Sequence, residues 1–543
     1  MQTKPLIYKI KFLLLTASLL CAALLIVGPT AATQNRSSLS AQERRGKQIY
    51  LRGEDAPRGE IKTVLGNDDL ELPASSFPCA SCHGLRGEGV REGGIQPPPL
   101  NWETLTRPLT SALTRRERGP YEDATLARAI TGGVDPNGAR LHPAMPRYSM
   151  TGEQMADLIA YLRKLGGASD LDPGLTDETI KVGAALPLTG PLAQIGEDIK
   201  AALNASFAEI NSRGGIYGRR FELLVEDSRG EPSQTLEATR RLIEASAVFA
   251  LVGCFEPGDS RAVNQLIERS QVPLIGPVTL SPRLSVPPNP YIFYLLPTFG
   301  DQARSLVDFI ASRSKERPAR LGVVYADSDF DRDALSGVKA QAEIYSMTLV
   351  IEEGFKAGSF RAADVVRRLE AKRPDYLLFF GDAQSIAALA AEMDRVKMRA
   401  PLLSSVVMIG RGAFALPASV AAETYLAYPA ALPDQSAFAE FISVMQKSGS
   451  SLRSPAFQSV AFASTKLLYE AVKLSGKQLD RATLLRSLEQ IQDFRTGVLP
   501  PLTFGPNRRI GSTGSYIVRV DPDTKQYVPL TDRLTPRANR FNR

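Results

Sequence analysis

Two cysteines two residues apart and a histidine directly after them, Cys79-Ala80-Ser81-Cys82-His83, constrain this chain more than any other stretch. C-x-x-C-H is the spacing at which two thiols bond covalently to haem while the histidine ligates its iron. Scarcity adds weight, because the chain holds four Cys and two His and three of those six residues lie in this pentapeptide. A thioredoxin-like redox pair belongs in a βαβ context, whereas Pro-, Ser- and Gly-rich segments flank this one. A tetrahedral zinc site needs four ligands, and outside the pentapeptide only His142, Cys254 and Cys21 remain. The spacing therefore predicts one covalent haem c, bonded at Cys79 and Cys82 and ligated by His83.

With 543 residues the chain is too long for one core, and about 150 residues per domain predicts three or four units. Its composition, 43% hydrophobic and 23% charged, is that of a soluble globular protein, and a net charge of +7 over this length does not imply nucleic acid as a partner. Lys4, Lys9 and Lys11 precede an apolar run from Phe12 to Val27, followed by Pro29-Thr30-Ala31-Ala32. The pattern predicts a secretory signal peptide over residues 1–32, which if uncleaved would act as an N-terminal membrane anchor. Cys21 belongs to that apolar run, so Cys254 is left alone and reads as a small buried hydrophobe.

Residues 40–166 read as the first domain. Ser40-Ala41-Gln42-Glu43 is a capping-box pattern opening a helix, with Gly46 and Tyr50 four apart on one face. A second helix begins near Thr151, with Gln154 three residues on; Met155, Leu158, Ile159, Leu162 and Leu165 recur at helical spacing up to Gly166-Gly167. Between the helices lies Pro- and Gly-rich chain that cannot build a large core, and haem would supply the missing apolar centre. In Gly46…Tyr50, CASCHG, the proline-leucine step at Pro99-Leu100 and the Met145-Pro146 loop, this region resembles the single-haem class I cytochrome c family. The resemblance implies an all-α fold with His83 as proximal ligand and a Met in the loop before the last helix as distal ligand. Met145 fits best, with Met150 and His142 as alternatives, and its sulfur would raise the potential and suit electron transfer. A backbone carbonyl at Pro98 or Pro99 would orient the proximal imidazole. Trp102 would either line a haem propionate or pack in the core.

A polar linker over residues 167–177 precedes a change of texture. From 178 to 532 short apolar runs alternate with amphipathic helices, which argues for α/β with parallel sheets. Strands are expected at Ile180 to Leu186, Phe221 to Glu226, Phe249 to Val252, Pro273 to Ile275, Arg320 to Tyr325 and Tyr376 to Phe380. Residues 533–543 read as a polar tail. The whole region resembles the periplasmic solute-binding proteins of the branched-chain amino-acid type, with a two-lobed type I fold. The resemblance rests on Lys181-Val182-Gly183, Pro187-Leu188-Thr189-Gly190, Asn211 to Gly218, Glu226-Asp227, Leu251-Val252-Gly253 and Leu502 to Asn507 in that order. It implies a ligand cleft drawn from Thr189, Pro257, Gly258, Val278, Thr279, Leu280, Phe330, Ala383 and Val406. The departures are informative. Pro257 and Leu280 stand where amino-acid binders of the family carry hydroxyls, Phe330 and Ala383 where they carry Tyr, and Val406 near their acidic position. An unpaired ammonium would be costly there, so a small neutral or aromatic ligand is expected rather than a free amino acid, with Thr279, Asp259 and Ser260 close enough to add polar contacts.

No nucleophile with a base is apparent, and both His lie in the first domain. The expected function is therefore non-enzymatic: a periplasmic electron-transfer cytochrome fused to a solute-binding module. Its redox partner would be a periplasmic dehydrogenase or another cytochrome. The second reading is a substrate-binding receptor or sensor for an ABC permease with an accessory haem domain.

Overall fold

The computed structural model describes residues 39–55, 58–65, 70–89, 96–110, 117–167, 170–258, 260–279, 282, 284, 287–356, 358–431, 435–477, 479–521 and 523–537. The segment read as a signal peptide, with Cys21, lies outside the described residues, as do Asp259, Leu280 and residues 538–543. The chain divides into two compact units between Asp170 and Leu171. Among the described residues no helix is long and apolar enough to cross a membrane.

In the first unit, helix α1 (Ala41–Arg52) starts where Ser40 Oγ accepts the Glu43 N–H while the Glu43 carboxylate accepts the Ser40 N–H, the reciprocal box that the sequence suggested. It ends at Gly53, whose φ of +66° is the left-handed cap. Strands β1 (Lys62–Val64) and β2 (Glu71–Pro73), the short α2 (Cys79–His83), α3 (Asp123–Gly132) and β3 (Arg147–Ser149) lead to α4 (Gly152–Leu162), which opens on a second capping box between Thr151 and Gln154. The sheet order β2-β1-β3 is antiparallel throughout. These short strands, with a further antiparallel pair of Leu109–Thr110 and Glu117–Arg118, stitch the loops between the helices, because loop backbone taken out of water must pair with something.

α1 and α4 cross at Gly46, where a Cβ would stand 2.0 Å from the Asp157 carbonyl oxygen and 2.7 Å from Tyr161 Cβ. One turn on, the Tyr50 and Tyr161 rings pack with centroids 5.6 Å apart. Asp157, buried at the same crossing, receives Arg45 and Arg58, each at 2.7 Å. The helices can approach this closely only without a side chain at Gly46. Gly46→Ala is therefore expected to cost the first unit about 3 kcal/mol by overpacking, read as a large fall in the thermal midpoint of its haem absorbance; an unchanged midpoint would disprove the tight crossing.

The second unit holds two large sheets and one two-stranded pair. The first contains β4 (Thr179–Leu186), β5 (Arg220–Asp227), β6 (Ala250–Val252), β8 (Leu274–Ile275) and β10 (Ile292–Phe293), in the order β10-β8-β6-β4-β5 and all parallel. β7 (Phe255–Glu256) and β9 (Val278–Thr279) form a separate parallel pair just beyond β6 and β8. The second sheet runs β12-β11-β13-β14-β15-β16-β17, from β11 (Arg320–Ala326), β12 (Thr348–Phe355), β13 (Tyr376–Phe380), β14 (Leu402–Ser405), β15 (Thr424–Tyr428), β16 (Tyr516–Asp521) and β17 (Gln526–Pro529), with only the last two pairings antiparallel. Buried central strands with helices on their faces are the usual packing of a parallel sheet. The chain crosses from the first lobe to the second after β10, returns after β15 so that residues from Phe441 to Phe504 join the first core, and crosses again into β16. Beyond residue 532, Leu534 exchanges two backbone hydrogen bonds with Ser515.

Candidate functional site

All five residues of the C-x-x-C-H motif lie in α2, so Cys79 and Cys82, three apart, share one helix face. No disulfide joins them: Cys82 is exposed and Cys79 half-buried, each as a free thiol. Burial pushes the Cys79 thiol up to about 11, whereas a redox-active C-x-x-C lowers its thiol to expose a thiolate. His83 is buried and its Nδ1 lies 3.1 Å from the carbonyl oxygen of Pro98, one of the two prolines expected to orient the ring. A hydrogen bond on Nδ1 leaves Nε2 as the metal-ligating nitrogen. Desolvation holds the imidazole's pKa below its usual value, which keeps it neutral as a ligand must be. The turn after His83 is fixed by the Tyr50 hydroxyl, which donates to the Gly84 carbonyl at 2.6 Å, and by the Gly89 N–H, which donates to the His83 carbonyl at 2.8 Å.

Among the three candidate distal ligands the surroundings differ. His142 is exposed, and its Nδ1 accepts the Ala144 N–H at 3.2 Å. Met145 and Met150 are half-buried against the unit's core, as are Cys79, Leu85, Leu100 and Trp102. Trp102 carries the Arg163 guanidinium 4.2 Å above its ring. Two free thiols on one face, a buried neutral imidazole with its Nδ1 engaged and half-buried thioethers on the same core fit a covalent haem.

The residues expected in a ligand cleft fall into two groups, one at the carboxyl edge of each sheet, where open α/β sheets bind ligands. In the first lobe, Thr189 follows β4, and its hydroxyl donates to Asp227 at 2.7 Å at the end of β5. Pro257 and Gly258 follow β7, and Val278-Thr279 is β9, with Thr279 opposite Glu256 in register. In the second lobe, Phe330 lies in the first turn of the helix Asp329–Ile344 and packs on Phe299 at 6.4 Å. Ala383 begins the helix Ala383–Arg395, and Val406 follows β14. Cys254, just before β7, is buried; its Sγ accepts the Ala185 N–H at 3.4 Å and its thiol is pushed up to about 12, as expected of a packed rather than a reactive cysteine.

The structure adds polar groups to these edges that the sequence reading passed over. Ser405 Oγ donates to Gln302 Oε1 at 2.6 Å and accepts the Val407 N–H at 3.1 Å. Asp331, next to Phe330, is 4% exposed, accepts the Ser328 hydroxyl on one oxygen and is held up at about 6 by burial. Glu256 is 3% exposed, and neither of its carboxyl oxygens has a hydrogen-bond partner among the described residues. It lines a cavity of about 10 Å³ with Pro232, Thr235, Pro257, Gly258, Ser260 and Val263. Burial pushes its carboxyl up to about 8. An acidic residue ending the apolar run Leu251 to Phe255 was the one visible signal for it.

Residues 179–526 match the family model described as periplasmic binding protein, and residues 76–166 match that described as cytochrome c. A Leu/Ile/Val-binding protein homolog of Brucella melitensis is 21% identical over 363 residues, covering 67% of this chain and 96% of its own length. Among solved structures, a fatty acid ABC transporter substrate-binding protein from Thermomonospora curvata superposes with a TM-score of 0.54 at 23% identity, over 67% of this chain and 94% of that one. A branched chain amino acid ABC transporter from Thermus thermophilus with bound valine gives 0.52 at 18%, over 67% and 97%. At these identities the structural likeness concerns the fold alone, and the relatives are binding proteins rather than enzymes.

Proposed function

We propose, for a chain that belongs to the periplasmic binding protein family and carries a cytochrome c domain ahead of it, that it is a periplasmic one-electron carrier joined to a receptor for a small molecule other than a free amino acid. The observation that carries the redox half is His83, buried and neutral with Nδ1 on the Pro98 carbonyl, directly after two free cysteines on one helical turn. Cys79 and Cys82 would hold the haem, His83 and Met145 would ligate its iron, and the group when bound supplies an iron that alternates between ferric and ferrous. The chain's own residues then fix the imidazole through the Pro98 carbonyl and surround the site with packed apolar side chains. Electrons would pass to or from a periplasmic dehydrogenase or another cytochrome.

The receptor half draws on the two carboxyl edges. Pro257, Phe330, Ala383 and Val406 offer no polar side chain to a zwitterion's ammonium, and the Thr189 hydroxyl is spent on Asp227. The near full-length match to the Brucella melitensis relative favours one second reading, delivery of the bound solute to an ABC permease.

Both halves meet in one experiment on the full holoprotein. Potentiometric titration is expected to show a single one-electron transition, and calorimetric titration with leucine, isoleucine and valine no binding at micromolar affinity. More than one redox transition would overturn the single-haem assignment, and micromolar binding of any of the three would overturn the ligand assignment.

A further inference from the structure

The loop that carries Met145 has few ties of its own. His142, Pro143 and Ala144 are exposed, and the loop closes one internal backbone bond, from the Met145 N–H to the His142 carbonyl at 2.9 Å. A thioether is a weak, neutral ligand that does not hold a loop in place by itself. Something else must fix where the sulfur is presented.

Arg147, the first residue of β3, supplies that hold. Its backbone is anchored to β1, where it pairs with Val64 and its carbonyl accepts the Thr63 hydroxyl at 3.0 Å. Its side chain folds back over the loop, and Nη1 donates to the carbonyl of Met145 and, at 3.4 Å, to that of Pro146. The guanidinium lies against Gly133, the left-handed residue with φ of +66° that ends α3; a Cβ there would come within 1.8 Å of Arg147 Nε. The Gly133 carbonyl in turn accepts the Leu141 N–H at 2.8 Å, at the start of the same loop. One cation thus joins the loop's last residues to the strand β1 and the end of α3, which also grips its first residue. A charged donor makes the stronger kind of hydrogen bond, and the rigid planar fork of the guanidinium holds Nη1 against two successive carbonyls.

We propose that Arg147 is a positioning residue that holds the Met145 backbone so that its sulfur stays on the iron. This rests on the reading of Met145 as distal ligand. The test uses the oxidised and reduced full-length holoprotein. The fraction of iron bound by sulfur is read from the ferric sulfur-to-iron charge-transfer absorption, and the openness of the sixth position from carbon monoxide binding to the ferrous form. Thermal unfolding of the first unit is followed separately. In Arg147→Gln the ratio of sulfur-bound to sulfur-free iron is expected to fall about tenfold, the effect of losing hydrogen bonds from a charged donor, with carbon monoxide binding rising in step. Arg147→Lys, which keeps the charge and loses the fork, should restore part of it. If wild-type protein shows the absorption and both variants keep it unchanged while only thermal stability falls, Arg147 is structural and the proposal is overturned. If the wild-type protein itself lacks it, the assignment of Met145 fails, and with it this role for Arg147.

Discussion

Exported full-length protein in which Cys79 and Cys82 are both replaced by alanine is expected to carry no haem through a denaturing gel, where the wild-type chain carries one per molecule. The prediction follows from chemistry that no other described residue of the first unit can replace: His83 ligates reversibly and is lost on unfolding, whereas a thioether bond survives it. The structure supports both thiols as partners, since they are free, three apart on α2 and directly before the buried imidazole. A second consequence is structural. Cys79, Leu85, Leu100, Trp102, Met145 and Met150 pack only partly buried against the unit's core, and filling that half-open apolar surface with a large ring is worth roughly 25 cal/mol for each Å² removed from water. The double variant should therefore also lose the first unit's resistance to protease. Haem-stained gels and mass spectrometry check the first outcome; a denatured double variant that still carries haem would overturn the attachment site.

The stability of the second unit is expected to fall as pH rises from about 4.5 to about 8, and Glu256→Gln should remove most of that fall, leaving the smaller part below about pH 6 that the raised Asp331 carboxyl contributes. Burial raises the Glu256 carboxyl from 4.5 to about 8 in the folded protein. Between these values the unfolded chain releases the proton while the folded chain keeps it, so the group's contribution is fully present below its unfolded pKa and gone once pH passes its folded pKa. The slope is ~1.4 kcal/mol per pH unit, on the order of 5 kcal/mol over the window. The cause is specific: both oxygens are buried among Thr235, Pro257, Ser260 and Val263, and the desolvation of an ionised carboxylate there outweighs what the nearby Ser260 hydroxyl offers it. Urea unfolding of the second unit, followed by circular dichroism at pH 5 and pH 8.5, measures the difference. Parallel pH profiles for wild type and variant would show that Glu256 ionises normally and sink the argument.

The contrast between these two predictions marks how far the sequence reads. The haem motif acts through covalent spacing within one turn, so Cys79, Cys82 and His83 could be named before any fold was known. The capping boxes at Ser40 and Thr151 are likewise local, and the helices begin where their side chains satisfy the first N–H groups. Six strand runs of the second unit were legible to within a residue or so, because a buried parallel strand is apolar along most of its length: Ile180 to Leu186 became Thr179–Leu186, and Tyr376–Phe380 was unchanged, whereas strands such as Thr348–Phe355 and Thr424–Tyr428 were not read. The short strands β1, β2 and β3 were not read, since they have no periodicity of their own and exist only because distant loops meet.

Burial and partnership were beyond the sequence for the same reason. Glu256 reads as one acidic residue at a strand end until Pro232 and Thr235, from the helix Pro232–Glu244, close over it. Thr189 looks like a ligand hydroxyl until Asp227, from the neighbouring strand, takes it. Arg147 looks like surface charge until Gly133 and two carbonyls surround it. By itself the sequence determined what depends on neighbours along the chain: a haem-binding turn, helix starts, strand runs and the order of two dissimilar domains. The tertiary structure alone decided what depends on neighbours across space. Those are the carbonyl that orients His83, the side chain that holds the Met145 loop and the burial of the Glu256 carboxyl, because desolvation and hydrogen bonding are properties of a packed environment and not of a residue's place in line.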